Sequence, residues 1–308
     1  MSFEHCAERF LASKSAEWKN PKHKQQWSNT LKTYAYPVIG TLPVSEIGLG
    51  HITKILEPIW TTKTETATRV RGRIETVLDW STVHGYRAGE NPARWRGHLD
   101  KVFSTPSKIQ TVQHHKAMPV TDIPEFFQTL QGRDGIAAKA LLFTILTAAR
   151  TSETLLTTWD EVDLNEGVWT LPAGRMKAKK EHRVPLSKTA LKLLADLPRM
   201  KDCNLVFPSP RGKNLSNMSM LTLLRRMHVK AVSHGFRSTF RDWCAEFTNY
   251  PRDLAEMALA HAIDNKVEAA YRRGDMLDKR RNLMKDWDGF LTGPVTKGAK
   301  IVPMRKQA

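Results

Sequence analysis

One stretch constrains this chain more than any other: Ser233-His234-Gly235-Phe236-Arg237-Ser238-Thr239-Phe240-Arg241-Asp242-Trp243. At 100° per residue Phe236, Phe240 and Trp243 fall on one side of a helix, and His234, Arg237 and Arg241 fall on another. The spacing predicts a helix with an apolar face for a core and a cationic face for something anionic. A helix that needs only solubility mixes Lys with Glu, whereas this one shows a row of His and Arg. Taken alone, that row is also what a basic solvated face looks like, and the rest of the chain decides between the two.

The net charge of +17 and a pI near 9.9 predict a polyanionic partner, nucleic acid ahead of an anionic membrane surface. A length of 308 residues suits two domains better than one core. No apolar run approaches the roughly 20 residues of a membrane helix. Met1-Ser2-Phe3-Glu4-His5-Cys6 lacks the basic and apolar parts of a secretion signal, so a cytoplasmic, nucleoid-associated protein with no membrane partner is expected. Cys6, Cys203 and Cys244 form no CxxC pair, which argues against a disulfide framework or a zinc knuckle. No Walker or Rossmann glycine loop is present, so a nucleotide-driven engine is not expected either, and neither is a metal or cofactor.

From Phe3 to about Leu99 apolar residues recur at three- and four-residue spacing, with breaks at Asn20-Pro21, Tyr36 to Gly40, Thr61 to Thr64 and Gly85 to Pro92. Residues 1–100 therefore read as a bundle of about four helices. Its polar positions carry Lys19, Lys22, Lys24, Lys54, Lys63, Arg69, Arg71, Arg73, Arg94 and Arg96, either as solvated faces or as phosphate contacts. Residues 101–118 lose periodicity and read as a linker, in which His114-His115-Lys116 is a metal pair or polar filling.

A second domain is expected over residues 119–290. Thr121 is a candidate N-cap for a helix Ile123 to Leu130. The apolar run Ile136 to Ala149 ends at Arg150, with Thr151 capping the next helix and Glu153 in its first turn. The one clear β signal is a hairpin, Val168 to Leu171 and His182 to Leu186, around the basic turn Gly174-Arg175-Met176-Lys177-Ala178-Lys179-Lys180. Leu191 to Leu197 and Met220 to Met227 read as helices. Leu254 to Ala262 is expected as a helix carrying His261, then Asn265 with Glu268 caps a short helix, Lys266 to Arg273, that displays Tyr271. Asp278 to Phe290 is amphipathic, its apolar stripe either docking on a neighbouring molecule or folding back, and residues 291–308 read as a mobile tail.

Arg150 in Thr147-Ala148-Ala149-Arg150-Thr151-Ser152-Glu153, Lys177 on a hairpin, His234-Gly235-Phe236-Arg237, Leu259-Ala260-His261 and Tyr271 resemble, in order and context, the catalytic set of the tyrosine recombinases, the phage integrase family. Trp159-Asp160-Glu161-Val162-Asp163 and Arg183-Val184-Pro185-Leu186 extend the likeness, which is nearest to integrases of prophages and integrative islands. The resemblance implies a mainly α fold with a small β-hairpin or sheet, built as a helical core-binding domain plus a mixed α/β catalytic domain. It implies a recombinase that integrates or excises a mobile element, working as a homotetramer on double-stranded attachment-site DNA from a monomer in solution, with accessory DNA-bending or excision factors. Two departures stand out. The family commonly has glycine before its first arginine, where this chain has Ala148-Ala149, and many relatives begin with an arm-binding domain, whereas this sequence starts at the bundle as a shortened integrase or a fragment would. A non-catalytic DNA-binding relative and a type IB topoisomerase-like enzyme are the alternatives.

The chemistry asks for these residue types. A tyrosine phenol has a pKa near 10, so roughly one in a thousand is ionised at pH 7, and a phosphodiester repels anionic nucleophiles. Arg150 and Arg237 each offer a planar fork that neutralises non-bridging oxygens. His234 and His261 either donate to those oxygens or exchange the phenol proton. Lys177, in preference to Lys179 or Lys180, is placed to protonate the departing 5′ oxygen. The family implies a 3′-phosphotyrosyl intermediate on Tyr271. Tyr34, Tyr36, Tyr86 and Tyr250 read as core or rim residues, and Glu153 as a partner that orients an arginine.

Overall fold

Apolar residues at helical spacing build helices in both halves of the chain. The computed structural model describes residues 1–18, 21–110, 115–261 and 274–294. It divides into two units, Met1–Gln113 and His114–Ala308. The architecture is mainly α with one small three-stranded sheet, the class expected.

In the first unit the helix Phe3–Lys14 opens at Ser2, whose hydroxyl accepts from the His5 amide at 3.4 Å. Helices Pro21–Thr30, Leu49–Trp60 and Thr64–Val83 follow, and Phe3, Cys6, Ile52, Leu56, Val70 and Val77 are buried in their shared core. The break expected from Tyr36 to Gly40 does not occur at its start. The chain passes from Thr30 into a π turn, Leu31–Ala35, and on into Tyr36–Ile39. Pro37 has no N–H to donate and its ring crowds the preceding turn; the wider turn, with the Tyr36 amide reaching back to the Leu31 carbonyl, accommodates it.

Several basic residues of this unit already have partners. Arg69 pairs with Glu65 at 2.6 Å, Arg71 with Glu75 at 2.6 Å and Arg94 with Glu90 at 3.0 Å. Arg73 is buried, its guanidinium over the Trp27 ring and donating to the Gln26 carbonyl. Lys24, Lys54, Lys63 and Arg96 are exposed, while Lys19 lies outside the described residues.

The stretch read as a linker is largely absorbed by the units it joins. Trp60 Nε1 donates to the Ser104 carbonyl at 2.9 Å and its ring packs on Phe103. In the second unit, the Lys116 carbonyl accepts from the Val232 amide at 3.0 Å and the Met118 carbonyl from the Thr239 hydroxyl at 2.7 Å. Aromatic and backbone contacts of this kind leave no periodic trace.

The second unit is built around Ile136–Thr147, apolar on all sides because neighbours surround it: Ile123–Gln131, Lys188–Ala195, Ser219–Arg226 and Leu277–Thr292. Thr121 does not cap the first of these; it lies in a 3-10 turn, Val120–Asp122, with its hydroxyl donating to the Asp122 carboxylate. The hairpin forms as β2 (Val168–Leu171) and β3 (His182–Pro185), antiparallel, with Trp169 opposite Val184. An unexpected short strand, β1 (Val162–Asp163), adds to β2 with Val162 opposite Trp169.

The last helix folds back on its own unit. Trp287 is fully buried, donates to the Ile145 carbonyl at 2.9 Å and packs against Phe240 and Trp243. Leu291, read as the first residue of a mobile tail, is also buried, because the helix continues to Thr292. Residues 295–308 lie outside the described set. The three cysteines are free thiols, Cys6 and Cys244 buried and Cys203 half-buried. Among the described residues no helix is long and apolar enough to cross a membrane.

Candidate active site

Arg150 stands at a junction between two helices. The helix before it stops at Thr147, two residues earlier than its apolar run suggests, because Ala148 takes the left-handed conformation with φ 49°. Arg150 itself, not Thr151, holds the N-cap position of the short helix Thr151–Leu155. Glu153, buried, fastens it at two points: its carboxylate accepts from the Arg150 amide at 2.8 Å and from Nη1 at 2.7 Å. Nη2 donates to the Ala260 carbonyl at 3.1 Å. The guanidinium is thereby aimed by a carboxylate and a backbone oxygen, the orienting part expected of Glu153.

The cationic face read on the central helix is solvated at His234 and Arg241 but not at Arg237. In Gly235–Phe247, Arg237 is only 4% exposed. Nη1 donates to the Ala148 carbonyl and Nη2 to the Leu259 carbonyl at 2.6 Å. Both oxygens lie just past helix ends, where carbonyls have no intrahelical donor and the helix dipole is negative, so one guanidinium caps two helices. Burial first, and the nearby Arg150 second, push the Arg237 pKa down to about 10, which leaves it charged at neutral pH. Its Nε is buried with no hydrogen-bond partner among the described residues. Arg241, a turn later, is half-exposed and pairs with Glu256 at 2.7 Å.

His261 lies beyond a helix rather than on one. Arg252–Ala258 ends early and Ala260 turns left-handed with φ 49°, which delivers the imidazole to Arg237. Nε2 lies 3.2 Å from Arg237 Nη2, and Nδ1 contacts the Glu256 carboxylate. A guanidinium can only donate, so Nε2 accepts and Nδ1 carries the hydrogen to Glu256; the tautomer is assigned from this network.

His234 is the N-cap residue of the central helix, exposed, its ring edge-on to that of His115 with centroids 4.8 Å apart. Lost hydration on its crowded side, then Arg237, His115, Arg150 and His261, hold its pKa below the usual imidazole value. The structure thus brings Arg150, Arg237 and His261 together, through the carbonyls of Ala148, Leu259 and Ala260 and the contact of Arg237 with His261, and sets His234 within their field. Lys177 is exposed beyond the 3-10 turn Ala173–Arg175 and makes no hydrogen bond or ion pair with another described residue; Lys179 and Lys180 are exposed beside it. Tyr271, with Asn265 and Glu268, lies outside the described residues.

Three residues at this site escaped the sequence. Glu256 aims His261, which is evident only once the helix is known to stop at Ala258. His115 meets His234 from the stretch read as a linker. His182, on β3, has its pKa pushed down to about 4 by burial and then by Arg280, beside Glu153 and Arg150 and bonded to the Ala258 backbone. Its alternation along a strand gave no such signal.

Residues 3–98 match the model of the phage integrase central domain, and residues 116–277 that of the phage integrase family. Prophage integrase IntZ of Escherichia coli (strain K12) is 31% identical over 300 residues, 94% of this chain and 72% of IntZ. The integrase of Enterobacteria phage P4 is 28% identical over 313 residues, 94% of this chain and 69% of that protein. A lambda integrase tetramer bound to a Holliday junction is similar in structure, with a TM-score of 0.67 at 12% identity, over 86% of this chain and 79% of that one. At that identity the likeness is one of fold. Fold, site and sequence together define a site-specific recombinase of the tyrosine class. The chain belongs to the phage integrase family.

Proposed function

We infer that this recombinase cuts and rejoins double-stranded attachment-site DNA with Tyr271 as nucleophile, to integrate or excise a mobile element. The observation that carries the reading is the buried Arg237, held by two carbonyls near a second guanidinium, with its Nε unpaired among the described residues. Two cations held this close repel one another, and a phosphate with two non-bridging oxygens relieves both. Arg150 and Arg237 clamp the scissile phosphate. The Tyr271 phenol attacks phosphorus as its proton passes to His261 Nε2, whose lone pair is released when Arg237 Nη2 turns its hydrogen from the imidazole to the phosphate, and the bond from phosphorus to the 5′ oxygen breaks as that oxygen takes a proton from Lys177. His234 donates to the phosphate. The 3′-phosphotyrosyl ester keeps the bond energy, and the reverse attack by a 5′ hydroxyl from a second duplex completes an exchange.

Exchange between two duplexes uses four active sites. The lambda integrase tetramer on a Holliday junction supports the same assembly here, a homotetramer formed on DNA from monomers, with accessory DNA-bending or excision factors. The place of action is the bacterial cytoplasm, at the nucleoid. A nicked suicide duplex carrying the attachment site, incubated with the protein, will trap a covalent adduct that Tyr271→Phe abolishes. An adduct that survives that substitution refutes the nucleophile, and wild-type binding without any adduct refutes the enzyme.

A further inference from the structure

One histidine of the stretch read as a linker, His115, has a use that the roles of Arg150, Arg237, His261 and Tyr271 do not account for. Residues 115–118 cross the N-terminus of Gly235–Phe247 as a strap fixed at two points, through the Val232 amide to the Lys116 carbonyl and the Thr239 hydroxyl to the Met118 carbonyl. The crossing is so close that a Cβ on residue 235 would meet the Lys116 carbonyl oxygen at 2.1 Å, a distance no side chain tolerates. Glycine in His234-Gly235-Phe236-Arg237 is therefore required by the strap, not by its own backbone angles. What the strap delivers, one residue before its first anchor, is the His115 ring, edge-on against His234.

We propose that His115 is a positioning residue for His234 in the cleavage reaction, holding the exposed imidazole of the helix N-cap in the orientation that meets the phosphate. The inference rests on the reading of this site as a DNA-cleaving one. An exposed histidine at a helix start otherwise turns freely about χ1 and χ2, and ordering it beforehand removes that freedom from the barrier. The edge-to-face geometry suits the task, since it restrains ring tilt without occupying both ring nitrogens. The charges that act on His234 come from Arg237, His115, Arg150 and His261, all able to be positive, so an aromatic neighbour fixes the ring without neutralising it.

The test uses the full chain with two substitutions, His115→Ala and His115→Phe, the second keeping an aromatic edge without a titrating group. Single-turnover adduct formation on the suicide duplex is compared with duplex affinity, and the His234 imidazole is followed by NMR across a pH titration without DNA. The expected result is adduct formation slowed ~10-fold in His115→Ala with affinity unchanged, and recovery to within ~3-fold in His115→Phe, as for residues that act by orienting another. In the NMR experiment the His234 resonance will move in His115→Ala and stay near wild type in His115→Phe. Equal rates in wild type and His115→Ala overturn the proposal, as does a rate loss that tracks affinity, which would mark a plain DNA contact. A His115→Phe variant as slow as His115→Ala overturns it too. If the wild type forms no adduct, the recombinase reading fails on its own, and an unmoved His234 resonance in His115→Ala still refutes the positioning role.

Discussion

Nε2 of His261 lies 3.2 Å from Nη2 of Arg237, and because the arginine can only donate, that imidazole nitrogen is the acceptor between them. The arrangement fixes which nitrogen of His261 faces Arg237, a point its place in the sequence left open. Its maintenance depends on Glu256, which takes the hydrogen from Nδ1 while also pairing with Arg241. Hydrogen bonds to the carboxylate, from Arg241 first, hold the Glu256 pKa below its usual range against the opposing effect of burial.

Glu256→Gln will therefore cut the rate of adduct formation by at least ~10-fold, while attachment-site affinity changes little. An amide can present an N–H to Nδ1 and leave the hydrogen on Nε2, where it opposes the Arg237 donors; the same loss of tautomer control is costly in the serine-protease triad. A single-turnover assay with a nicked duplex reads the effect.

Arg237→Lys tests the clamp. One ammonium cannot reach the carbonyls of Ala148 and Leu259 and also present a flat pair of donors to phosphate. Adduct formation will fall ~100-fold or more, in the range found when a preorganised oxyanion donor is removed. The melting temperature will drop as well, since two helix ends lose their cap.

Ala148→Gly should stabilise the protein. Ala148 sits at φ 49° at the C-cap of Ile136–Thr147, where its carbonyl accepts from Arg237. A left-handed alanine costs about 1–2 kcal/mol, of which glycine's extra freedom in the unfolded chain returns part. A gain of about 0.5–1 kcal/mol in denaturant unfolding is expected, with cleavage retained.

Much of this was legible in the sequence, and the exceptions share a cause. Arg150, Arg237 and His261 were picked out by residue type and neighbourhood, and the structure brings those three together, since each sits beside an apolar run that any fold must bury. Periodicity marked where helices lie but not where they end: Ala148 and Ala260 leave the helix by turning left-handed, with no glycine or proline to announce it. Partners brought in from other elements, such as Glu256 for Arg241 and Lys116 against Gly235, are set by tertiary packing and leave no local pattern. That Arg237 is buried rather than solvated has the same cause, because the two helix ends it caps come from elsewhere in the chain.

The pH dependence of stability provides the last prediction, through His182. The unfolded chain protonates this histidine near pH 6.5, whereas the folded protein, by burial and then the Arg280 charge, keeps it neutral down to about pH 4. Between those values the unfolded state binds the extra proton, so stability rises with pH across the window and falls as pH drops from 6.5 towards 4. The whole shift is worth roughly 3 kcal/mol, of which about 2 kcal/mol is lost between pH 7.5 and pH 5. His182→Gln keeps a donor for the Ala258 backbone but cannot titrate, so its urea-unfolding free energy will fall by about 2 kcal/mol less than that of the wild type over the same interval. Carboxylates contribute equally to both proteins, which isolates the histidine in the difference; parallel pH profiles would show that His182 takes its proton in the folded state as readily as in the unfolded one.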